Sequence, residues 1–314
     1  MTNKNNILPF VAATSMAVIF GLTYLFSKIA LSVAAPLELL SFRFLAAFII
    51  MTALIISGLA KVDFKNKPVK LIIFLGLCNP ILSNVFDANG LTQCSSSQAG
   101  VILALVPIAV TILAVYILKE IPSGKQVVSI AVSILGVVLI ILMGKSDAGT
   151  SSLFGITLIL LECLVVAVYN VLSRKLRTDF TPFELTYFSI AFSALVFNSI
   201  SVFSHIRQKN LSAYFEPLYN KDFLIPILYL GIFASIIAFF LLNYALSKIE
   251  ASKISVFSNV STIVSIIAGV LILNENFQYY HIIGSVLILA GVWGTNHFGS
   301  MKNTAKNLQK TGSE

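Results

Sequence analysis

The chain carries its first half again in its second. A shift of 155 residues lays Leu75-Gly76 on Leu230-Gly231, Ser97 on Ser252, Leu118 on Leu273, Glu120 on Glu275 and Gly136-Val137 on Gly291-Val292, without a gap. A shift of 146 does the same earlier in the chain, laying Ser27-Lys28 on Ser173-Arg174, Pro36 on Pro182 and Glu38 on Glu184. A duplicated chain folds most simply into two like units packed on each other. The hydropathy of the units decides where that packing takes place.

Hydrophobic residues make up 57% of the 314 and charged residues 11%, with a mean hydropathy of +0.93. Soluble domains carry roughly a quarter of their residues charged, so a soluble fold is excluded. A spanning helix needs about twenty apolar residues. Ten such runs are present, near 8–27, 36–57, 69–89, 97–118, 126–144, 153–172, 183–204, 223–246, 253–273 and 279–298. They lack the alternation of barrel strands, which would be half as long. The expected fold is all-α and integral to the membrane, with ten transmembrane helices arranged as two inverted five-helix repeats. Five is odd, so the second copy enters the bilayer from the opposite side. The expected units are residues 1–148 and 149–300, followed by a basic cytoplasmic tail over 301–314. Inverted repeats belong to alternating-access transporters, whose substrate sites lie near the midplane between the copies.

The net charge of +8 and pI near 9.3 raise the question of a nucleic-acid partner. With the N-terminus inside, the inner segments hold fifteen of the twenty-one Lys and Arg residues, and the outer loops hold five. Three of those five (Arg207, Lys209 and Lys221) lie in the longest outer loop, where charge bias is weakest. The basic excess therefore orients the protein, with both termini cytoplasmic in a multi-pass cell-membrane protein, and implies no nucleic acid. Lys4 followed by an apolar run and Ser32-Val33-Ala34 has a second reading as a cleaved signal peptide. The run is longer than such regions, and its repeat partner near 153–172 is internal. Cys78, Cys94 and Cys163 match no metal or redox spacing and read as packing residues. Neither a metal nor a cofactor is expected.

Phe20-Gly21, Ser27-Lys28, Pro36 and Arg43 in order, then Gly90, Ser95-Ser96-Ser97, Pro107, Glu120 and Gly136, form a pattern whose second part recurs as Tyr244-Ala245-Leu246, Ala251-Ser252, Glu275 and Gly291. Over roughly residues 8 to 298 this resembles the drug/metabolite transporter superfamily, EamA type. The resemblance implies a ten-helix bundle in which helices one, three, four, six, eight and nine surround a cavity and the other four brace it. It also implies transport driven by a gradient. The absence of a Gly-x-x-x-x-Gly-Lys-Ser/Thr loop agrees, since no ATP site is encoded.

Within that frame, polar residues at bilayer depth are the candidates. Glu162 stands halfway along helix six, where a carboxylate is costly unless it meets water, a partner or a proton. It departs from the small apolar residue the resemblance leads one to expect. It reads as a proton carrier or an anchor for a cationic group; the competing reading is a structural carboxyl, paired for instance with Arg43. Asp87 belongs to a polar cluster with Asn84, Asn89 and Gln93 near the outer end of helix three, and its repeat partner is Leu242. Asn84 and Asp87 share a helix face, which reads as a cavity mouth or as interfacial hydration. Uncharged candidates for substrate binding are Tyr24 and its partner Asn170, with Tyr169, Asn243, Tyr244 and Asn259. Each has a competing role as a bridge between helices.

Other residues read as structural. Arg43 ties helix two to a neighbour. Lys28 and Arg174 end their helices and snorkel to the interface. Pro107 permits bending of helix four, and Glu120 and Glu275 cap the helices that follow them. The leading function is secondary transport, export of an amino acid or related amphiphile, with proton-coupled uptake of a cationic or zwitterionic metabolite as the alternative. A membrane enzyme acting on lipid-linked substrates is the third class. His205, His281 and His297 lie far apart and outside any motif, which gives that class no catalytic constellation. The expected partners are a small-molecule substrate, the lipid bilayer and, for coupling, protons.

Overall fold

The computed structural model describes residues 7–63, 67, 69–118, 123–144, 152–175, 180–249, 254, 257–275 and 278–311. They form helical rods and short connections, with no strand among the described residues. We number the rods α1 (Leu8–Leu31), α2 (Pro36–Ile56), α3 (Val69–Gly76, Leu77–Leu82 and Ser83–Leu91) and α4 (Ser96–Leu103 and Val106–Leu118). Then follow α5 (Gly124–Gly144), α6 (Leu153–Lys175) and α7 (Pro182–Arg207). The last are α8 (Lys221–Leu228, Tyr229–Ala238 and Phe239–Lys248), α9 (Ser258–Leu271) and α10 (Tyr279–Thr311). Seven spans are long and apolar enough to cross a membrane, from α1, α2, α3, α4, α6, α7 and α8; Gly124–Gly136, Val260–Leu271 and Tyr279–Gly294 are shorter apolar helices. The tail expected over 301–314 begins as a continuation of α10.

Local sequence fixes where the rods begin. At α7, Thr181 and Glu184 form a capping box: the Glu184 amide donates to Thr181 Oγ1 at 3.2 Å, and the Thr181 amide donates to the Glu184 carboxylate at 2.9 Å. Pro182 follows at the first helical position, where its missing N–H costs nothing. Ser95 with Gln98 and Ser123 with Gln126 do the same for α4 and α5.

Two rods are irregular in the middle. The α3 helix opens into a π turn over Leu77–Leu82, with Pro80 inside it and Asn79 in an extended conformation. The α8 helix is wound as π helix over Tyr229–Ala238, just after Pro226. A proline removes one backbone bond and collides with the preceding turn, and a π stretch relieves that locally. The α4 helix breaks after Leu103 and resumes at Val106, so Pro107 occupies the first turn of a new segment.

Packing is close where small residues meet. A Cβ on Gly136 of α5 would strike the Gly284 carbonyl of α10, and one on Gly291 would strike Ser133 and the Ser129 carbonyl. Ser133 Oγ donates to the Ile288 carbonyl at 3.0 Å across the same seam. Small residues let helix backbones approach in this way when no hydrophobic gain is available between them. The outer surface is apolar, with Leu195, Phe203, Leu135 and Trp293 all exposed. A continuous apolar exterior of this kind requires lipid around it.

Candidate functional site

Among the described residues the packing leaves a cavity within the bundle. Its wall is contributed by α1, α2, α3, α4, α6, α7, α8 and α9, while α5 and α10 stay outside it. The resemblance implied that α2 and α7 only brace the cavity. Instead α2 supplies Arg43 and Phe44, and α7 supplies Ile190.

Most of the wall is apolar, including Met16, Phe20, Leu103, Phe239 and Leu242. Three charged side chains interrupt it. Arg43 donates from Nε to Ser235 Oγ at 2.9 Å and from Nη1 to Asn84 Oδ1 at 2.8 Å. Asn84 in turn donates to the Pro80 carbonyl at 2.8 Å, one of the groups disturbed by the π turn. The irregular stretches of α3 and α8 thus hold the guanidinium from two sides. Asp87 on α3 and Glu162 on α6 are the other two charges, 6% and 7% exposed. Asp87 Oδ1 and Glu162 Oε2 have no hydrogen-bond partner, and neither has Asn170 Oδ1, whose residue is 4% exposed. Buried acceptors are nearly always paired; of seven unpaired buried side-chain atoms among the described residues, these three belong to residues on the cavity wall.

Of the residues nominated from sequence, Tyr24, Asn84, Asp87, Glu162 and Asn170 line this cavity together. Tyr169 and Asn243 do not. Asn243 Oδ1 accepts from Tyr169 Oη at 2.7 Å and from Ser173 Oγ at 3.2 Å, and its Nδ2 donates to Thr186 Oγ1 at 3.0 Å. This closed knot joins α6, α7 and α8. Tyr244 is half-buried and also outside the wall. Leu242, Phe239 and Ser235 occupy the cavity face of α8, and at 100° per residue the next two positions point elsewhere. The side chains of Asn259 and Arg174 and the whole of Glu120 lie outside the described residues. Asn79, Ser83, Thr23, Ser235 and Ser261 also line the cavity and were not singled out from sequence. The repeat held a pointer to Ser235, since the shift of 155 lays Pro80 on it.

Three structural expectations change. Arg43 joins α2 to α3 and α8 as a tie would, yet it stands on the cavity wall. Lys28 does not reach for solvent: its Nζ donates to the Leu91 and Cys94 carbonyls, at 2.5 and 2.7 Å, at the end of α3. Those carbonyls are left unpaired by the helix terminus, and a cation completes them. Glu275 caps α4 rather than the helix that follows it, accepting from the Ser96 and Ser97 amides at 2.6 and 2.9 Å and from Ser97 Oγ at 2.6 Å. The left-handed turn at Asn274, φ 53°, turns the carboxylate toward the positive end of α4. Among the described residues no cluster of three or more His, Cys, Asp or Glu side chains could hold a metal.

An all-helical bundle with a lipid-facing exterior and a charged, mostly apolar central cavity defines a multi-pass membrane protein built around a small-molecule site. The chain belongs to the EamA-like transporter family, whose model matches residues 8–142 and again residues 153–296. It is 42% identical over 287 residues to the uncharacterized transporter YcxC of Bacillus subtilis (strain 168), covering 91% of this chain and 92% of that one. An uncharacterized transporter of Archaeoglobus fulgidus is 28% identical over 276 residues, covering 87% of this chain and 93% of its own. A solved crystal structure at 17% identity superposes with a TM-score of 0.64, covering 91% of this chain and 95% of its own, which speaks to the fold alone. The family and the relatives' names indicate a transporter rather than an enzyme.

Proposed function

We propose that the protein is a secondary active transporter that exports a small organic metabolite, an amino acid or related amphiphile, across the cytoplasmic membrane by alternating access. The observation that carries this reading is the pairing of cavity residues under the repeat. The shift of 146 lays Met16 on Glu162, Phe20 on Val166 and Tyr24 on Asn170. The shift of 155 lays Asn79 on Ala234, Asn84 on Phe239, Asp87 on Leu242 and Val106 on Ser261. All fourteen line the one cavity. The π turns of α3 and α8 fall at equivalent places under the same shift. A cavity walled by equivalent positions lies on the axis relating the two halves, where a rocking motion exposes it to either side in turn.

In this reading α1 to α5 form one unit, residues 1–148, and α6 to α10 the inverted second, residues 149–300, with both termini cytoplasmic. The family model's separate matches to the two halves support it. The wall suits an amphiphile, because apolar surface surrounds a few convergent polar groups. A phosphorylated cargo needs several deep cations, and Arg43 alone is among the described wall residues. The orphaned carboxylates favour a second version at the same site, proton-coupled uptake of a cationic or zwitterionic metabolite, since Glu162 and Asp87 can each hold a proton.

Alternating access is testable without knowing the cargo. In a variant lacking the three native cysteines, Val166→Cys should be labelled by a membrane-impermeant thiol reagent from outside in intact cells and from inside in inverted vesicles. Labelling confined to one side under every condition would end the reading. Reporter fusions at residue 314 and within the 205–222 loop should report opposite sides, and the same side for both would refute the inverted arrangement.

A further inference from the structure

We propose that the cavity recognises its cargo through the N–H groups of a single positive charge, a protonated amine or a guanidinium, and rejects quaternary ammonium ions of the same shape. The proposal rests on the transport reading above and names the head group that reading leaves open.

The donors and acceptors on the wall are unequally spent. Two of Arg43's donors are already given to Ser235 and Asn84, which fixes its charge as part of the wall. Asn84 has its oxygen on Arg43 and its amide on the Pro80 carbonyl. The wall also holds three acceptors, Asp87 Oδ1, Glu162 Oε2 and Asn170 Oδ1, each on a residue more than nine-tenths buried and each without a partner. An ammonium group brings three N–H donors and no acceptor, which suits acceptors of this kind. A hydroxyl brings one.

Charge points the same way. Two carboxyl groups and one guanidinium share the wall, so the state with both carboxyls ionised carries one negative charge in excess and is the state a cationic cargo selects. Unbalanced charge at this depth is costly, and one positive charge on the cargo cancels it. A cargo of net negative charge would deepen the imbalance. The two carboxylates come from different halves of the chain, α3 and α6, so a cation between them contacts both units. The apolar body of the cargo has Phe20, Phe239 and Leu103 to lie against.

A quaternary ammonium has the charge without the donors. Aromatic rings can hold such ions through their faces, and Phe20, Phe44 and Phe239 stand on this wall. That recognition would be indifferent to methylation of the nitrogen, which is what separates the two ideas.

The test compares three probes of one carbon frame on the purified full-length protein by titration calorimetry: phenethylamine, its N,N,N-trimethyl derivative and 3-phenylpropionate. Phenethylamine should bind, with the trimethyl derivative at least about tenfold weaker and the propionate weaker still. Glu162→Gln and Asp87→Asn should each weaken phenethylamine by about tenfold while the melting temperature is retained. Equal binding of the trimethyl derivative overturns the proposal in favour of the aromatic faces. Tighter binding of the propionate, unchanged affinity in both variants, or no binding of phenethylamine overturns it as well. If Val166→Cys is labelled from both sides while these probes fail, the transport reading stands and the head-group assignment falls. If labelling stays one-sided while phenethylamine binds as described, the reverse holds.

Discussion

Asn243 on α8 and Glu162 on α6 lie on packed helices, both buried in the same bundle, and differ in what surrounds them. Asn243 has three side-chain partners, and its carbonyl and amide are both in use. Glu162 keeps one oxygen buried with none. Both residues are expensive to hold away from water. The first expense is offset by hydrogen bonds within the protein, which makes the knot a fastener. The second is left standing, and the protein tolerates it where a cavity gives another molecule access. In this pair the completeness of the hydrogen bonding differs while the burial does not.

The contrast can be broken in order of effect. Asn243→Ala strands Tyr169 and Ser173 and removes a bond to Thr186, so stability should fall by roughly 3 kcal/mol. A clear drop in melting temperature in detergent would show it; an unchanged melting curve would mean that the knot holds nothing together. Tyr169→Phe removes one of the same bonds and should cost about 1 kcal/mol, locating the effect in the hydrogen bonds rather than in the volume of Asn243. Glu162→Gln should leave stability within about 1 kcal/mol of the native protein, because no protein partner is lost. Its consequence should appear instead in transport by reconstituted vesicles. A destabilisation as large as that of Asn243→Ala would erase the distinction between the two regions.

The sequence made the membrane class and the position of the helices plain, because a spanning helix must satisfy its own backbone and so announces itself by length and hydropathy. It was less informative about direction around each helix. Tyr169 and Asn170 are adjacent, yet one enters the knot and the other the cavity wall. No residue type distinguishes them; a rotation of 100° does. On α8 the π stretch widens the helix just before Asn243 and Tyr244, so face assignments counted from regular helix drift there. Glu275 illustrates a further limit. Its neighbour in the chain is α10, while its partner in space is the start of α4, a contact across nearly 180 positions that no local pattern carries.

The seam between α5 and α10 has a bearing on biogenesis. α5 and α10 are far apart in the sequence, and Ser133, Gly136 and Gly291 lie against each other only after both exist. During synthesis α5 therefore enters the bilayer with its small-residue stripe turned to lipid and waits while more than a hundred further residues are made. A chain arrested before Tyr279 would lack α10 and leave this face of α5 uncovered.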